Sequence, residues 1–187
     1  MIRPLLNQYD VILKSKCANW NFNNSDGGYT TPDGELHTAE SLFEDLRDTM
    51  QHNKGLGLSA PQIGINSCVF VLGNPGDTAS IKEFFNPMVV DILGEDVYIE
   101  EGCLSFPGMF VKVKRPRAIR IRATDRTGDT TTYQFEGLTA HIFLHELDHL
   151  NGITFLKRAS PFHIDRARSQ MKKLNRRKNK MKGTHHE

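Results

Sequence analysis

The chain has 187 residues, of which 38% are hydrophobic and 25% charged. This size and composition suit one globular domain with a sizeable core and exclude a small fragment that needs disulfide or metal cross-links to fold. Its net charge of +2 hides an asymmetry, because residues 157–187 carry 11 Lys/Arg against 2 Asp/Glu, while residues 1–156 carry 13 against 20. Three widely spaced cysteines, no apolar run of 18 residues and no apolar leader exclude a disulfide framework and a membrane span and favour a cytoplasmic protein.

The first 35 residues predict little regular structure. Residues 1–18 hold two apolar clusters without a clear period and are expected to be extended or mixed. Residues 19–35 are rich in Asn, Gly, Asp and Thr, which favour turns and do not build a core. We therefore predict a surface loop over 19–35, anchored by Trp20 and Phe22.

The next segment predicts a helix, a tight turn and a strand. Thr38 precedes apolar residues at helical spacing, so a helix of about three turns is expected to end before Gly55. Residues 55–64 are a run of glycines and small residues that lets the backbone approach another group closely, and residues 67–72 have the character of a strand. A simple helix-to-strand turn and a functional loop explain residues 55–64 equally well.

The middle of the chain predicts strands interrupted by irregular backbone. Residues 73–80 are turn-like, a strand follows as far as a bend at Gly94, and residues 99–108 are bracketed by Gly and Pro and are not expected to be regular. Between 111 and 123 apolar residues alternate with Lys and Arg, the period of a half-buried strand pair, which Pro116 is expected to break. The basic residues there are expected to form the solvated face of a sheet.

A hairpin and a central helix follow. Residues 126–129 predict the hairpin turn, and residues 130–135 predict the returning strand. Gly137 opens a helix that runs to about Asn151, where Gly152 is the expected C-terminal stop. This helix is hydrophobic nearly all round, so it should lie at the centre of the fold.

The central helix carries the strongest chemical motif in the chain, His145-Glu146-Leu147-Asp148-His149, which fits H-E-x-x-H. Histidines four residues apart lie on one helix face, where both rings can bind one metal ion, and the glutamate can act as a base toward a water molecule. The motif alone should occur by chance in roughly one chain in a hundred of this size. The motif alone therefore does not prove a metal site. A catalytic site of this kind has three protein ligands, so a third ligand is needed besides the two histidines.

The third ligand is expected upstream of the motif. The longer metzincin pattern fails because Phe155 stands where its last histidine should be, and no usable glutamate follows Glu146. His163 and Asp165 stay open as weaker candidates. Cys103 is the best candidate, because a thiolate is a strong ligand and irregular backbone can approach the helix, although a buried inert thiol is the commoner fate of a lone cysteine.

Three segments together resemble the motifs of the peptide deformylase family, namely residues 55–62 (GLGLSAPQ), 101–105 (EGCLS) and 145–149 (HELDH). They occur in the family's order and at roughly its spacing, and the resemblance extends from about residue 36 to residue 181. The family removes the formyl group from the N-terminal formyl-methionine of new polypeptides and uses one divalent metal, typically Fe²⁺, for which Zn²⁺, Ni²⁺ or Co²⁺ can substitute. We expect an α+β fold in which antiparallel sheets surround the metal helix, with a further C-terminal helix.

The resemblance assigns roles to individual residues of this chain. The implied metal ligands are Cys103, His145 and His149. Glu146 is the implied general base and acid. The implied donors to the oxyanion are the side-chain amide of Gln62 and the backbone N–H of Leu104, and losing one such donor typically costs about 3 kcal/mol of barrier.

The remaining implied residues shape the substrate pocket. Gly57 leaves room for the substrate backbone. Glu101 is also expected among the substrate-binding residues. The residues expected to line an apolar methionine pocket are Leu56, Ile99, Leu138 and Ile142, each of which alone would also suit ordinary core. Arg115 is expected to pair with Glu101 and so orient the cysteine loop. The chain departs from the family at Leu144, usually glutamine, and at Ser59, commonly alanine.

The C-terminal segment predicts a basic helix that begins at Ser160-Pro161 and runs to about Met181. Its narrow apolar stripe consists of Ile164, Ala167, Met171 and Leu174. The helix resembles the C-terminal helix of bacterial deformylases, which docks on the ribosome, and its charge suits ribosomal RNA. The alternative is a solvated helix that only packs its stripe on the body.

These patterns predict one catalytic domain over residues 1–159, with residues 160–187 as a basic helix and tail of the same domain. We expect a monomer that acts on nascent formyl-methionyl polypeptides. Two other functions stay open. A zinc endopeptidase would share the H-E-x-x-H residues and cleave internal peptide bonds, and a nucleic-acid-binding module would rest on the basic tail alone and bind no metal.

Overall fold

A computed structural model describes residues 1–23, 28–30, 34 and 36–183 of the chain. Parts of the predicted 19–35 loop and of the predicted tail lie outside these described residues. The helices and strands are β1 Gly28–Thr30, β2 Leu36–Thr38, α1 Ala39–His52, β3 Gly57–Ser59, β4 Val69–Leu72, β5 Lys82–Gly102, β6 Phe110–Thr124, β7 Thr130–Glu136, α2 Gly137–Leu150 and α3 Pro161–Gly183. No helix in the described part of the chain combines the length and the apolar character that crossing a membrane requires.

A five-stranded antiparallel sheet in the order β3-β4-β5-β6-β7 carries the fold, and β1 and β2 form a separate two-stranded sheet. Helix α2 packs on the large sheet through aromatic rings. The ring centroid of Phe143 lies 5.0 Å from that of Phe70 and 5.4 Å from that of Phe84, and both contacts are edge to face. The predicted α+β architecture is confirmed, and the metal-motif helix lies against the sheet as expected.

The two long strands correct the prediction for the middle of the chain. The bend at Gly94 does not end β5, because a register shift between Leu93 and Asp96 absorbs it and pairing with β6 continues to Gly102. Pro116 pairs with Asp96 at that same shift, so the missing N–H of the proline falls where the ladder is already irregular and β6 continues through it. Irregular backbone therefore begins only after Gly102, rather than at residue 99.

Three short strands were missed by the sequence patterns, one of them Leu36–Thr38, which pairs with β1. The turn predicted over 55–64 contains Gly57–Ser59, which pairs with β4, and the predicted 19–35 loop contains Gly28–Thr30. Three-residue strands are too short to show a period. The predicted anchor Trp20 is confirmed, since it is 5% exposed and packs edge to face on Phe85 at 5.3 Å.

The helix ends follow local capping rules. Thr38 caps α1, accepting from the Ser41 N–H at 3.1 Å while the Ser41 hydroxyl accepts from the Thr38 N–H at 3.0 Å. In the stripe of α3, Ala167 is buried, and Ile164 and Met171 pack on the same core cluster. Leu174, the last stripe residue, is 53% exposed, so the packing of the stripe on the body extends from Ile164 to Met171 among the side chains that the structure describes.

Candidate metal centre and active site

Three possible metal ligands from two elements meet beside α2. Cys103, His145 and His149 place one ligand atom each within 4.8 Å of one another, and Cys103 Sγ lies 3.3 Å from His149 Nε2. The two histidines are four residues apart on the helix, so their rings share one face. One thiolate sulfur and two imidazole nitrogens form a three-ligand set that suits a borderline divalent ion with an open coordination position.

The cysteine is carried by a tight loop that follows β5. Its carbonyl accepts from the Phe106 N–H at 2.9 Å, which closes a turn and turns the chain back toward β6. Leu104, the next residue, places its side chain against Gly55, where an added Cβ would lie 2.8 Å from Leu104 Cδ1. The glycine of the 55–62 motif thus makes room for the cysteine loop.

Glu101 fixes the orientation of one candidate metal ligand, His145. Its Oε2 lies 2.9 Å from His145 Nδ1, which leaves Nε2 of that ring for a metal. Arg115 donates two hydrogen bonds to Glu101, from Nε to Oε1 and, at 3.0 Å, from Nη2 to Oε2, so the predicted pairing of these residues is confirmed. Burial would raise the pKa of Glu101, but its hydrogen bonds to His145 and Arg115 outweigh burial and lower the pKa to about 2. The carboxylate is therefore ionised and can hold His145.

Glu146 lies beside the ligand cluster with a carboxyl group that is not fully hydrogen-bonded. It is 3% exposed, and among the described residues its Oε2 has no hydrogen-bond partner. Burial raises its pKa to about 7, against the opposing positive charge of His145. Gly57 stands directly over it, and a Cβ there would lie 2.6 Å from Glu146 Oε1. The carboxyl group is thus placed to accept a proton near neutral pH.

Of the two predicted oxyanion donors, the Gln62 amide lies against the ligand cluster. Ser59 fixes the Gln62 amide, because its N–H and its hydroxyl donate to Gln62 Oε1 at 3.0 and 2.9 Å. The NH₂ end of the amide is thereby turned toward the site, where it makes only long contacts of 3.5 Å to Cys103 Sγ and 3.3 Å to Ser105 Oγ. The Leu104 N–H has no acceptor within the described residues. Serine at position 59 therefore has a clear role, the orientation of Gln62.

A cavity of about 470 Å³ opens beside the ligand cluster. It brings together all the residues predicted to bind substrate, namely Leu56, Gly57, Ile99, Glu101, Leu138 and Ile142. Leu56 and Leu138 are 44% and 54% exposed at its mouth. His141, which the sequence analysis missed, also lines it and adds a buried imidazole one turn before His145. The cavity is large enough for a side chain such as methionine.

The weaker ligand candidates lie elsewhere. The ring of His163 packs on Tyr98 at 5.3 Å, and Asp165 pairs with Arg168 at 3.7 Å on the surface of α3. Phe155 packs its ring 5.7 Å from that of His145, so the residue at the metzincin ligand position supports the site as an apolar neighbour. Leu144, the departure before the motif, packs on the core cluster around Phe143.

Metal affinity is expected to rise with pH by about tenfold per unit or more between pH 6 and 8. Burial lowers the pKa of His145, but hydrogen bonds with Cys103 and Glu101 outweigh it and raise the pKa to about 10 in the metal-free site. A metal ion that binds the His145 ring must therefore displace a proton from it throughout this range. Competition for Zn²⁺ with a chelator of known proton affinity measures the slope. Glu146→Gln keeps all three proposed ligands and should keep the slope, whereas an affinity independent of pH would contradict the prediction.

The sequence matches a family model described as polypeptide deformylase over residues 2–164. A peptide deformylase of Chromobacterium violaceum is 36% identical over 153 residues, which cover 76% of this chain and 91% of that protein. Peptide deformylase 1 of Burkholderia multivorans is 39% identical over 157 residues, which cover 78% of this chain and 86% of that protein.

Solved structures show the same likeness. A peptide deformylase from Legionella pneumophila superimposes with a TM-score of 0.78 at 31% identity and covers 96% of this chain and 98% of its own. A peptide deformylase from Acinetobacter baumannii, solved with Met-Ala-Ser bound, gives a TM-score of 0.70 at 27% identity and covers 84% of this chain and 98% of its own.

Proposed function

The chain belongs to the peptide deformylase family, whose metal-dependent members remove the N-formyl group from nascent peptides, and we propose that it does so with Glu146 as general base and acid. The observation that carries this assignment is the buried Glu146 carboxyl, with an unpartnered oxygen and a pKa raised by burial to about 7, beside the Cys103, His145 and His149 cluster. A group with a pKa near the working pH can both take and return a proton.

The substrate is held by the cavity and by the donors beside it. The methionine side chain enters the cavity between Leu56, Leu138 and Ile142, which lie at or near its mouth. The formyl oxygen lies where the Gln62 amide and the Leu104 N–H can both donate to it. Because Ser59 already orients the Gln62 amide, this donor stabilises the negative charge that develops on that oxygen without reorganising.

The proton transfers are the work of Glu146. Its carboxylate takes a proton from the water molecule that attacks the formyl carbon, and then delivers that proton to the leaving amide nitrogen as the C–N bond breaks. A divalent ion bound by the three ligands would polarise the formyl carbonyl and lower the pKa of the attacking water. Formate and a free α-amino group are the products.

Fe²⁺ is our proposal for the native metal. The thiolate and two imidazoles accept several borderline ions, so Zn²⁺, Ni²⁺ and Co²⁺ should also bind, and ligand type alone does not separate them. His145 is oriented for such an ion by Glu101, and His149 is buried beside Cys103. Protein purified without oxygen and analysed for each metal would identify the ion it carries.

Formate release from formyl-Met-Ala-Ser by anaerobically purified protein tests the proposed function. The peptide should lose its formyl group and stay otherwise intact, so that Met-Ala-Ser is recovered. The endopeptidase alternative predicts cleavage at internal bonds of longer peptides with no formate. The nucleic-acid-binding alternative predicts neither product and no bound metal. Metal-loaded protein that releases no formate would contradict our proposal.

We also propose that α3 docks the enzyme on ribosomal RNA in the cytoplasm, where a monomer meets nascent chains. The first part of the helix packs on the body through Ala167, and the exposed residues that follow include Lys172, Lys173 and Arg176. Phosphate groups attract such residues whatever the RNA sequence, and salt weakens the attraction. Because Ala167 is buried, we propose that the helix belongs to the catalytic domain.

Reversing charge on α3 should weaken ribosome binding by about tenfold or more at 0.1 M salt. The variant carries Lys172→Glu, Lys173→Glu and Arg176→Glu, all at exposed positions beyond the packed stripe. Sedimentation with ribosomes measures binding, and formate release from formyl-Met-Ala-Ser should be unchanged. The matched control reverses three exposed basic residues of β6, Lys114, Arg117 and Arg120, and should bind normally. Equal loss in both variants would show that only total charge matters.

A further inference from the structure

Arg158 connects the start of the C-terminal helix to the metal-binding helix. It lies just before α3, and its side chain is 47% exposed. Its guanidinium nevertheless binds the buried Asp148 carboxylate with two hydrogen bonds, from Nη2 to Oδ1 at 2.6 Å and from Nε to Oδ2 at 3.1 Å. Two parallel hydrogen bonds of this kind fix both the position and the plane of a carboxylate.

Asp148 is in turn part of a continuous series of hydrogen bonds that ends at the proposed metal ligand His145. Its Oδ2 also accepts from Arg115 Nη1 at 2.8 Å. The other two nitrogens of Arg115 bind Glu101, and Glu101 Oε2 holds His145 Nδ1 at 2.9 Å. The side chains of Asp148, Arg115 and Glu101 are only 7%, 5% and 6% exposed, so little solvent competes for these bonds.

Among the three buried residues that link His145 to Arg158, the carboxylates outnumber the guanidinium. Glu101 and Asp148 contribute two buried negative charges, while Arg115 contributes one positive charge to both. Arg158 supplies the second positive charge from the surface. Without it, Asp148 would be an undercompensated buried carboxylate, and such a charge draws strongly on any cation within reach. That cation is Arg115, which now divides its hydrogen bonds between Asp148 and Glu101.

We infer that Arg158 is a positioning residue for the metal ligand His145, which it holds in place through Asp148, Arg115 and Glu101. By satisfying Asp148, Arg158 leaves two nitrogens of Arg115 free to hold Glu101 in the plane that orients the His145 ring. The inference rests on the proposed metal site, but it concerns how tightly the metal is held and not the reaction. Residues that orient a metal-bound histidine typically change metal affinity by about 10- to 100-fold.

Metal release from the loaded protein tests this inference. Zn²⁺ transfer from the Zn²⁺-loaded full chain to a chromogenic chelator should be about tenfold faster in Arg158→Gln than in the wild type. Arg158→Lys keeps the charge but not the paired geometry, so its release rate should be intermediate. The matched control is Arg120→Gln, which removes an arginine of similar exposure from a surface pair with Asp91 and should change release less than twofold.

Two further measurements separate positioning from a general loss of stability. The single tryptophan, Trp20, is buried in a core cluster that contains neither Arg158 nor any residue of α2. Its fluorescence therefore reports global unfolding of each variant. Release in Arg158→Gln should be faster than unfolding. In an Asp148→Asn background, Arg158→Gln should add nothing, because the residue through which it acts is gone. The inference would be overturned if Arg158→Gln released Zn²⁺ at the wild-type rate or no faster than it unfolds. It would also be overturned if Arg158→Gln had its full effect in the Asp148→Asn background.

Discussion

Glu146→Gln is expected to lower kcat/KM for formyl-Met-Ala-Ser by roughly 10²- to 10⁴-fold while the protein keeps its metal. The amide has nearly the shape of the carboxyl group, so the narrow space under Gly57, 2.6 Å from a hypothetical Cβ to Glu146 Oε1, remains filled. What the variant loses is the ability to take a proton from water and return it to the amine. The metal ligands keep their places on α2 and in the cysteine loop.

Rates of formate release, with the metal content of the same samples, measure this effect. Glu136→Gln, an exposed glutamate immediately before α2, is the matched control and should leave the rate unchanged. The effect should appear mainly in kcat, because the proton moves in the transition state and little in substrate binding depends on it. A Glu146→Gln enzyme that kept its metal and more than a tenth of the wild-type rate would show that another group moves the proton.

The structure gives Gly57 a second role beside the one predicted from the sequence. From the sequence, position 57 is expected to lack a side chain so that substrate backbone can approach. The structure places Glu146 at that position's open side, so any side chain there would meet the proposed base before it met substrate. The glycine would therefore serve the proposed base as well as the substrate, and the spacing of motifs along the chain could not reveal this because the two residues are 89 positions apart.

The ligand set was predictable from residue chemistry, but its supporting network was only partly so. An i, i+4 pair of histidines on a helix limits where a metal can lie. The lack of a metzincin histidine or a usable downstream glutamate favoured Cys103 over His163 and Asp165, which stayed open. Arg115 was expected beside Glu101. Its second carboxylate, Asp148, and the arginine that shares it, Arg158, depend on how α2 meets the segment before α3, which no local pattern records.

The strands show the same division between local and distant information. The alternation over 111–123 correctly predicted strand structure, because one face of β6 is buried, but it predicted a pair of strands where the structure has one. Pro116 misled the prediction, since a proline within a strand normally marks an edge or a bulge and its bulge partner, Asp96, lies in another strand. Positions that depend on a partner strand are therefore the ones where a single sequence is least informative.

Cys103→Ala is expected to lower metal affinity by about a hundredfold or more, with formate release falling in proportion to the metal lost. The thiolate is the only anionic member of the ligand set, so its removal leaves two neutral imidazoles on one helix face. Neither Gln62, whose amide contacts Cys103 Sγ at 3.5 Å, nor the adjacent Leu104 N–H offers a replacement ligand. Adding excess Zn²⁺ or Fe²⁺ should restore only part of the activity.

Thiol labelling gives an independent measure of the same ligand. Burial raises the pKa of Cys17 to about 12 and also raises that of Cys68, so neither thiol should react with a disulfide reagent at pH 8 in the folded protein. Metal-free wild type should therefore show one reactive thiol, the metal-loaded protein none, and Cys103→Ala none in either state. Cys17→Ala is the control that should keep both its metal and its one reactive thiol. A thiol at position 103 that reacts equally with and without metal would contradict its assignment as a ligand.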